Sequence, residues 1–332
     1  MIMKELSQHG NQGRAAAKAG VCRQTAAKYQ RLGKVPSEFK AGREWRTRPD
    51  PFAAVWPALE KTEGGYLFSA VKHFASGSPA GNVLVTSAPY ADPEAGWQVF
   101  HFPVPMTAEG VTVLDNWKPM GMRGTGSNSV KLDNVFVPEA AIVARRPRGD
   151  YHLMWGVILP VALPLIMSVY RDIAETAADK ARDLCRNSPD PVTPYLLGEM
   201  ENALTTAQVM VDDMIRLVDD FRFEANLKTV NAVVKRKTLA AEACKLAVAK
   251  AVEVCGGRGF IRSTGIESLF RDVQASHFHP LQEKRQLLFT GSLAMGLEPP
   301  PPGVLTTRPD VQARTPGRAR AWEHSTTSNS RR

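Results

Sequence analysis

Four short runs hold residue types able to bind or stabilise a planar, charged ligand. Lys72-His73-Phe74-Ala75-Ser76-Gly77 ends a stretch of β-type residues. Gly121-Met122-Arg123-Gly124-Thr125-Gly126-Ser127 is followed, eight residues after Ser127, by Val135-Phe136-Val137-Pro138. Cys255-Gly256-Gly257-Arg258-Gly259-Phe260 closes an apolar helical run and precedes Leu269-Phe270-Arg271-Asp272. Near the end stands Ser276-His277-Phe278-His279-Pro280-Leu281. A strand end leaves the Ser76 hydroxyl and backbone N–H free for a ligand. The glycines Gly256, Gly257 and Gly259 let backbone N–H groups approach an anion closely, although glycines also end helices. Taken alone, Phe74 reads as core, Ser76 as the start of a turn, and His279 as a hydrogen-bonded interfacial histidine.

The elements that must position these runs follow from periodicity. Tyr66–Lys72, Val83–Ala88, Val99–Val104, Val111–Trp117 and Ser129–Val137 are β-branched and aromatic, separated by Gly-, Pro- and Asp-rich turns. They predict a small β-barrel or sandwich over residues 60–148. From Tyr151 the period becomes helical, to Arg186, then Pro194–Phe221, Asn226–Cys255, Ser263–Ala275 and Leu281–Leu297. Leu239, Ala243, Leu246, Ala247 and Val252 are the expected core stripe of the third helix. Strands followed by a block of helices make an α+β chain, with a helical bundle over residues 150–298. The most apolar run, Val157–Val169, contains Pro160 and Pro164 and reads as a buried helix, short of a membrane span.

The two ends differ from the body. Residues 1–59 carry eleven Lys/Arg against four acids, and the segment after Glu298 six Arg against two, although the whole chain is only +9. The Ala16-x-x-x-Gly20 spacing, with helices over Gln12–Ala19 and Arg23–Leu32, suits a helix-turn-helix that would offer Arg23, Gln24, Thr25 and Lys28 to DNA. A basic helical hairpin without a DNA role fits equally. Residues 36–57 read as a Pro- and Trp-rich linker, and residues 299–332 as a disordered tail. Cys22, Cys185, Cys244 and Cys255 lack C-x-x-C spacing, which suggests reduced thiols, a cytoplasmic location and no metal site. The polar start lacks the apolar core of a signal peptide.

Taken in order, the first three motifs resemble the acyl-CoA dehydrogenase superfamily over about residues 60–298. The resemblance implies a flavoprotein, an FAD cofactor with FMN as the alternative, and a homodimer or homotetramer. It implies that Phe74 packs on the flavin, that Ser76 contacts the ring, and that Arg123, Gly256, Gly257 and Gly259 help bind the cofactor. It also implies a small-molecule substrate, an acyl-CoA or an aromatic, with a flavin reductase or electron acceptor as partner. K-E-L-x-x-H-G and W-R-T-R-P-D-P-F similarly resemble the N-terminus of IS21-type transposases over the first 57 residues, with weak DNA binding implied there.

Two departures shape the functional expectation. The carboxylate base of a dehydrogenase is missing: Pro280 stands at or next to its place, Val157-Ile158-Leu159-Pro160 offers none, and Glu283 is one turn away. What remains is similar to the reduced-flavin-dependent monooxygenases of the dibenzothiophene monooxygenase type, in which residues matching Ser76 and His279 would stabilise a flavin–oxygen adduct. The superfamily's N-terminal helical domain and its T-E-P-x-x-G-S-D-like loop do not precede Gly64. Three expectations follow: a flavin-dependent oxidoreductase oxidising an acyl-CoA-like CH–CH bond, a monooxygenase of a small aromatic or heteroatom substrate, and an inactive chimera with a DNA-binding first segment.

Overall fold

The computed structural model describes residues 58–149 and 151–299, with isolated helical positions at Ala16, Gln24, Ala27 and Arg31. The helix-turn-helix, transposase-like and tail expectations lie outside the described residues. The chain divides between Trp56 and Pro57, and the described strands and helices lie in the second part.

Seven strands come first: β1 (Glu60–Thr62), β2 (Gly65–Lys72), β3 (Val83–Asp92), β4 (Gly96–Pro105), β5 (Val111–Val113), β6 (Val130–Pro138) and β7 (Ala144–Pro147). They form two antiparallel sheets, ordered β1-β2-β6-β5 and β3-β4-β7. Among the described residues no ladder joins the two, so the expected barrel is not a closed ring. The sheets instead share one apolar core, with Phe68 edge-on to Phe102 at 5.7 Å and Tyr66 edge-on to Phe100 at 5.4 Å. Along β6 the buried positions are Val130 and Leu132, then Val135 and Val137. The change of parity falls at a bulge: the ladder to β2 shifts register at Phe68/Ala70, Asn134 has φ +50°, and its N–H donates to Ser69 Oγ at 2.8 Å. Of the expected strand Val111–Trp117 only Val111–Val113 is paired; the rest is the loop that carries Trp117.

The bundle consists of α1 (Trp155–Cys185), α2 (Thr193–Val218), α3 (Leu227–Cys255), the single turn α4 (Gly257–Phe260), α5 (Ile266–Val273) and α6 (Glu283–Ala294). Asn226 caps α3, its side chain accepting from the Thr229 N–H at 2.9 Å. Helix α3 lies against both α1 and α2, and its contact face is rich in small residues: Ala240, Ala241, Ala243, Cys244, Ala247 and Ala251 meet Ala174, Ala177, Ala178 and Ala181 of α1 in one core. Small side chains let helix axes approach closely. Of the expected stripe Ala243 and Ala247 are buried and Val252 packs against the core, but Leu239 and Leu246 are more than half exposed; the buried face runs through Val233, Lys237, Ala240, Ala243, Cys244, Ala247 and Ala251. Helix α3 is apolar on more than one face, which defeats a reading by period alone. Helix α1 buries Leu159, Leu163, Met167 and Tyr170 but exposes Val157, Ile158, Leu165 and Val169, so the run expected to be buried is buried on one face. It is long and apolar enough to cross a membrane by length and composition, with 44% of its most apolar stretch buried.

Candidate active site

Two polar clusters lie on this frame. The first surrounds Ser76, just past the end of β2. Phe74 adopts φ +57°, which turns its ring out of the sheet, where it is 71% exposed and edge-on to Trp117 at 5.9 Å. It is therefore not a core residue. The Ser76 N–H is not free either; it donates to the Phe74 carbonyl at 3.0 Å. The loop is braced across to residues 125–129 by Ala75 N–H to Asn128 O and Gly77 N–H to Thr125 O, and by His73 Nδ1 with Ser129 Oγ at 2.9 Å.

Ser76 begins a row of hydroxyls whose direction is fixed. Thr125 Oγ1 donates to the Met122 carbonyl (2.9 Å), which accepts only. Thr125 has one hydrogen, so its oxygen accepts from Ser127 (2.7 Å), and Ser127 in turn accepts from Ser76 (2.8 Å). Ser76 therefore presents lone pairs, not a hydrogen, to the space beside Phe74. Arg123 lies at the surface of the same loop, its Nε donating to Pro119 O at 3.2 Å.

The second cluster is in the bundle. His279 is half-buried, and one of its ring nitrogens, Nε2, is 2.7 Å from the buried Tyr170 hydroxyl on α1. Burial, and after it the Asp272 carboxylate, raise the Tyr170 pKa, so the phenol keeps its proton. Donation of that proton to Nε2 leaves the hydrogen of a neutral imidazole on Nδ1. Burial, then the nearby Lys237 charge, lowers the His279 pKa and favours that neutral ring. His277, the neighbouring imidazole, is exposed and contacts Lys245. Glu283 pairs with Lys284 at 2.6 Å on the outside of α6, which holds its carboxyl below the usual range and gives it no place in the cluster.

One seam joins the clusters. Met122, whose carbonyl ends the hydroxyl row, donates its N–H to Asp272 Oδ1 at 2.5 Å, and Asp272 is the carboxylate felt by Tyr170. Next to it Arg271 donates to Met120 O at 2.7 Å while pairing with Glu267. Arg271 and Asp272 thus tie α5 to the loop before Arg123. Gly121 is required there, because a Cβ would lie 2.3 Å from the Arg271 carbonyl oxygen. No hydrogen bond or ring contact joins Ser76 and His279 directly; the connection runs through Met122 and Asp272.

The glycine run separates into distinct roles. Gly259 lets α4 pack on α3, since a Cβ would lie 2.7 Å from Val252 O; Gly256 takes φ +55° to end α3. Nothing stands within 4 Å of a Cβ placed on Gly256 or Gly257, so this backbone faces open space. The run is at the far end of α3, beside the buried Cys185–Cys255 contact at 3.8 Å.

Residues 162–283 match the acyl-CoA dehydrogenase C-terminal domain. The chain is related to dibenzothiophene monooxygenase-type enzymes: it is 28% identical over 254 residues to the dibenzothiophene monooxygenase of Rhodococcus erythropolis, covering 67% of this chain and 59% of the relative. It is also similar to the cyclohex-1-ene-1-carbonyl-CoA dehydrogenase of Geobacter metallireducens (strain ATCC 53774 / DSM 7210 / GS-15), at 24% identity over 68% of this chain and 60% of the relative. Among solved structures, KijD3 in complex with FMN and dTDP-3-amino-2,3,6-trideoxy-4-keto-3-methyl-D-glucose superposes with a TM-score of 0.66 at 23% identity, covering 73% of this chain and 62% of that one. The fold is therefore that of these flavin-dependent oxidoreductases. The chain spans about three-fifths of the length of the curated relatives it matches.

Sequence reasoning had named Ser76, Phe74, Arg123, the glycines and His279. It missed Ser127, Thr125, Tyr170, Lys237 and Asp272 as their partners. Ser127 and Thr125 were visible inside the quoted motif. Tyr170 and Lys237 sit inside helices with no local signal, and only the packing brings them to the 276–281 turn.

Proposed function

We propose that residues 58–299 form the flavin-binding part of a reduced-flavin-dependent monooxygenase acting on a small aromatic or heteroatom substrate. The observation that carries this reading is the His279–Tyr170 pair: beside Pro280, which stands at or next to the expected place of the dehydrogenase base, is a half-buried imidazole held to the Tyr170 hydroxyl, and Glu283 is spent on Lys284. A neutral N–H donor can stabilise developing negative charge on oxygen in a site screened from water. It is not a carboxylate suited to removing an α-proton.

The residues present fit a flavin at one end of its site. Phe74 offers an exposed flat ring, and the Ser76 oxygen is held as an acceptor beside it. An acceptor suits the reduced flavin ring, which carries an N–H where the oxidised ring carries a bare nitrogen. Reduced flavin, FMN or FAD, supplies two electrons to dioxygen when bound. Phe74 would pack on the ring, Ser76 orient it, Arg123 bind its polar edge, and His279 donate a hydrogen bond from Nδ1. Gly256 and Gly257, open on their outer side, suit contact with the cofactor of a second copy in a homodimer or homotetramer.

The test is the visible spectrum of the full chain after incubation with FMN or FAD and desalting. Retained flavin supports the reading. Product formation only with reduced flavin and oxygen, lost in His279→Ala, selects the monooxygenase; dye reduction by an acyl-CoA selects a dehydrogenase instead. A colourless protein with neither activity overturns both.

A further inference from the structure

Lys237 lies in the middle of α3 with 1% of its surface exposed. Its Nζ donates to three backbone carbonyls, those of Ser276 at 3.2 Å, His279 at 3.1 Å and Leu281 at 3.1 Å. An ammonium has three hydrogens and no acceptor, so these contacts use its whole capacity. They fall on the turn that leads from the end of α5 to α6, and they converge on one point from residues three and two positions apart. We propose that Lys237 is a positioning residue for His279: its ammonium fastens the carbonyls of the 276–281 turn and thereby fixes the imidazole against Tyr170.

The chemistry requires a compact cation. An apolar side chain of equal length would leave three inward carbonyls without donors, each costly when buried. Arginine is a planar fork and does not match three carbonyls converging on one point. Burial lowers the Lys237 pKa to about 8. The three carbonyl dipoles oppose that shift, so the group is charged at neutral pH. Its charge then acts on His279, whose backbone it holds, and favours the neutral ring. The other ionisable groups around the turn are Lys245, Glu242, His277 and Glu283 on its exposed side, and Asp272 beyond Tyr170. Of the charged groups around the turn, Lys237 is the one whose field bears on the His279 ring.

This inference deepens the reading of His279 as the site's donor, but its test needs no flavin. In the full chain with ¹⁵N-labelled histidine, His279 is assigned by its loss in His279→Asn and titrated by NMR. Wild type should show a single tautomer with hydrogen on Nδ1. Lys237→Met should move the His279 midpoint upward and mix the tautomers, and Lys237→Arg should not restore them. An unchanged midpoint and tautomer in a folded Lys237→Met overturns the proposal. Should that variant not fold, ¹⁵N-lysine spectra of wild type decide: a three-proton Nζ signal protected from exchange at neutral pH supports the fastening, and its absence overturns it. If flavin turnover is present, Lys237→Met should lower kcat about tenfold or more with KM little changed, the mark of a misplaced group. A His279 shift in a protein without turnover sinks the monooxygenase reading alone. Turnover that needs His279 but ignores Lys237 sinks this one.

Discussion

The Ser76 cluster and the His279 cluster are built on opposite principles. Around Ser76 the outward groups, Phe74, Ser76 and Arg123, are exposed, and Ser76 is joined hydroxyl to hydroxyl to the buried Ser127 behind it, with water available to replace a lost partner of Ser76 itself. Around His279 the partners are buried, and each polar atom depends on one specific donor or acceptor: Tyr170 for the ring, Lys237 for the backbone. A surface cluster can be altered with little loss of stability and a change in what it binds. A buried cluster resists change, and what it loses first is geometry. The seam at Gly121, Met122 and Asp272 transmits one to the other, and the largest effects are expected there.

Gly121→Ala tests that seam. The new Cβ meets the Arg271 backbone carbonyl at 2.3 Å, and backbone on both sides cannot move aside as a flexible side chain would. Thermal or urea unfolding should report a loss of about 1–3 kcal/mol or more. A variant as stable as wild type would mean that the loop and α5 do not hold each other, and the two clusters would then be independent.

Tyr170→Phe comes next. It keeps the ring in the core but leaves His279 Nε2 without its donor, at a cost of about 1–3 kcal/mol for a half-buried group. The tautomer should become mixed. An unchanged NMR tautomer would show that the turn, not Tyr170, sets the imidazole, shifting the weight of the site wholly onto Lys237.

A pH series separates the clusters without large structural damage. Burial first, and then the Lys237 charge, depress the His279 pKa below its ordinary value of 6.5. The unfolded chain then holds the proton more tightly than the folded one. This contribution to stability is present above pH 6.5 and is lost as the pH falls through the folded value. His101 and His277 are lowered as well, burial first in each, so the measurement must be a difference. His279→Gln should flatten the fall in unfolding free energy below pH 6.5 relative to wild type. Parallel curves would show that His279 is as easily protonated in the fold as outside it.

The sequence made the surface cluster more legible than the buried one, for a physical reason. Phe74, Ser76, Arg123, Thr125 and Ser127 lie in two loops whose glycines punctuate the chain, so short motifs carried them. The strands and long helices were readable from period, and Asn226 and Gly256 marked the ends of α3. Closure of the sheets was not readable, because strand pairing is a long-range choice that alternation does not specify. Nor was the face of α3, where Leu239 and Leu246 are as apolar as the residues that are buried. Lys237 shows the limit most clearly. In sequence it is one lysine in K-R-K-T; only burial separates it from Lys235 and Arg236, and burial is decided by the neighbouring helices.

The smallest effect is expected from Ser127→Ala, and it tests the surface cluster most directly. The Thr125 hydrogen is committed to Met122 O, which makes Ser127 the donor to Thr125 and the acceptor from Ser76. Removing the Ser127 hydroxyl breaks no apolar contact, and water can reach the exposed Ser76. Stability should change by about 1 kcal/mol or less. What should change is polarity. The Ser76 hydrogen, no longer drawn to Ser127, can turn toward the space beside Phe74, and the group becomes a donor as readily as an acceptor. On the flavin reading, wild type should prefer reduced over oxidised flavin through the N–H that Ser76 accepts, and Ser127→Ala should narrow that preference by up to about tenfold, the equivalent of one hydrogen bond. Anaerobic titration with each flavin state measures the ratio. An equal ratio in both proteins would mean that the hydroxyl row does not orient Ser76, and that the surface cluster, unlike the buried one, has no fixed direction to lose.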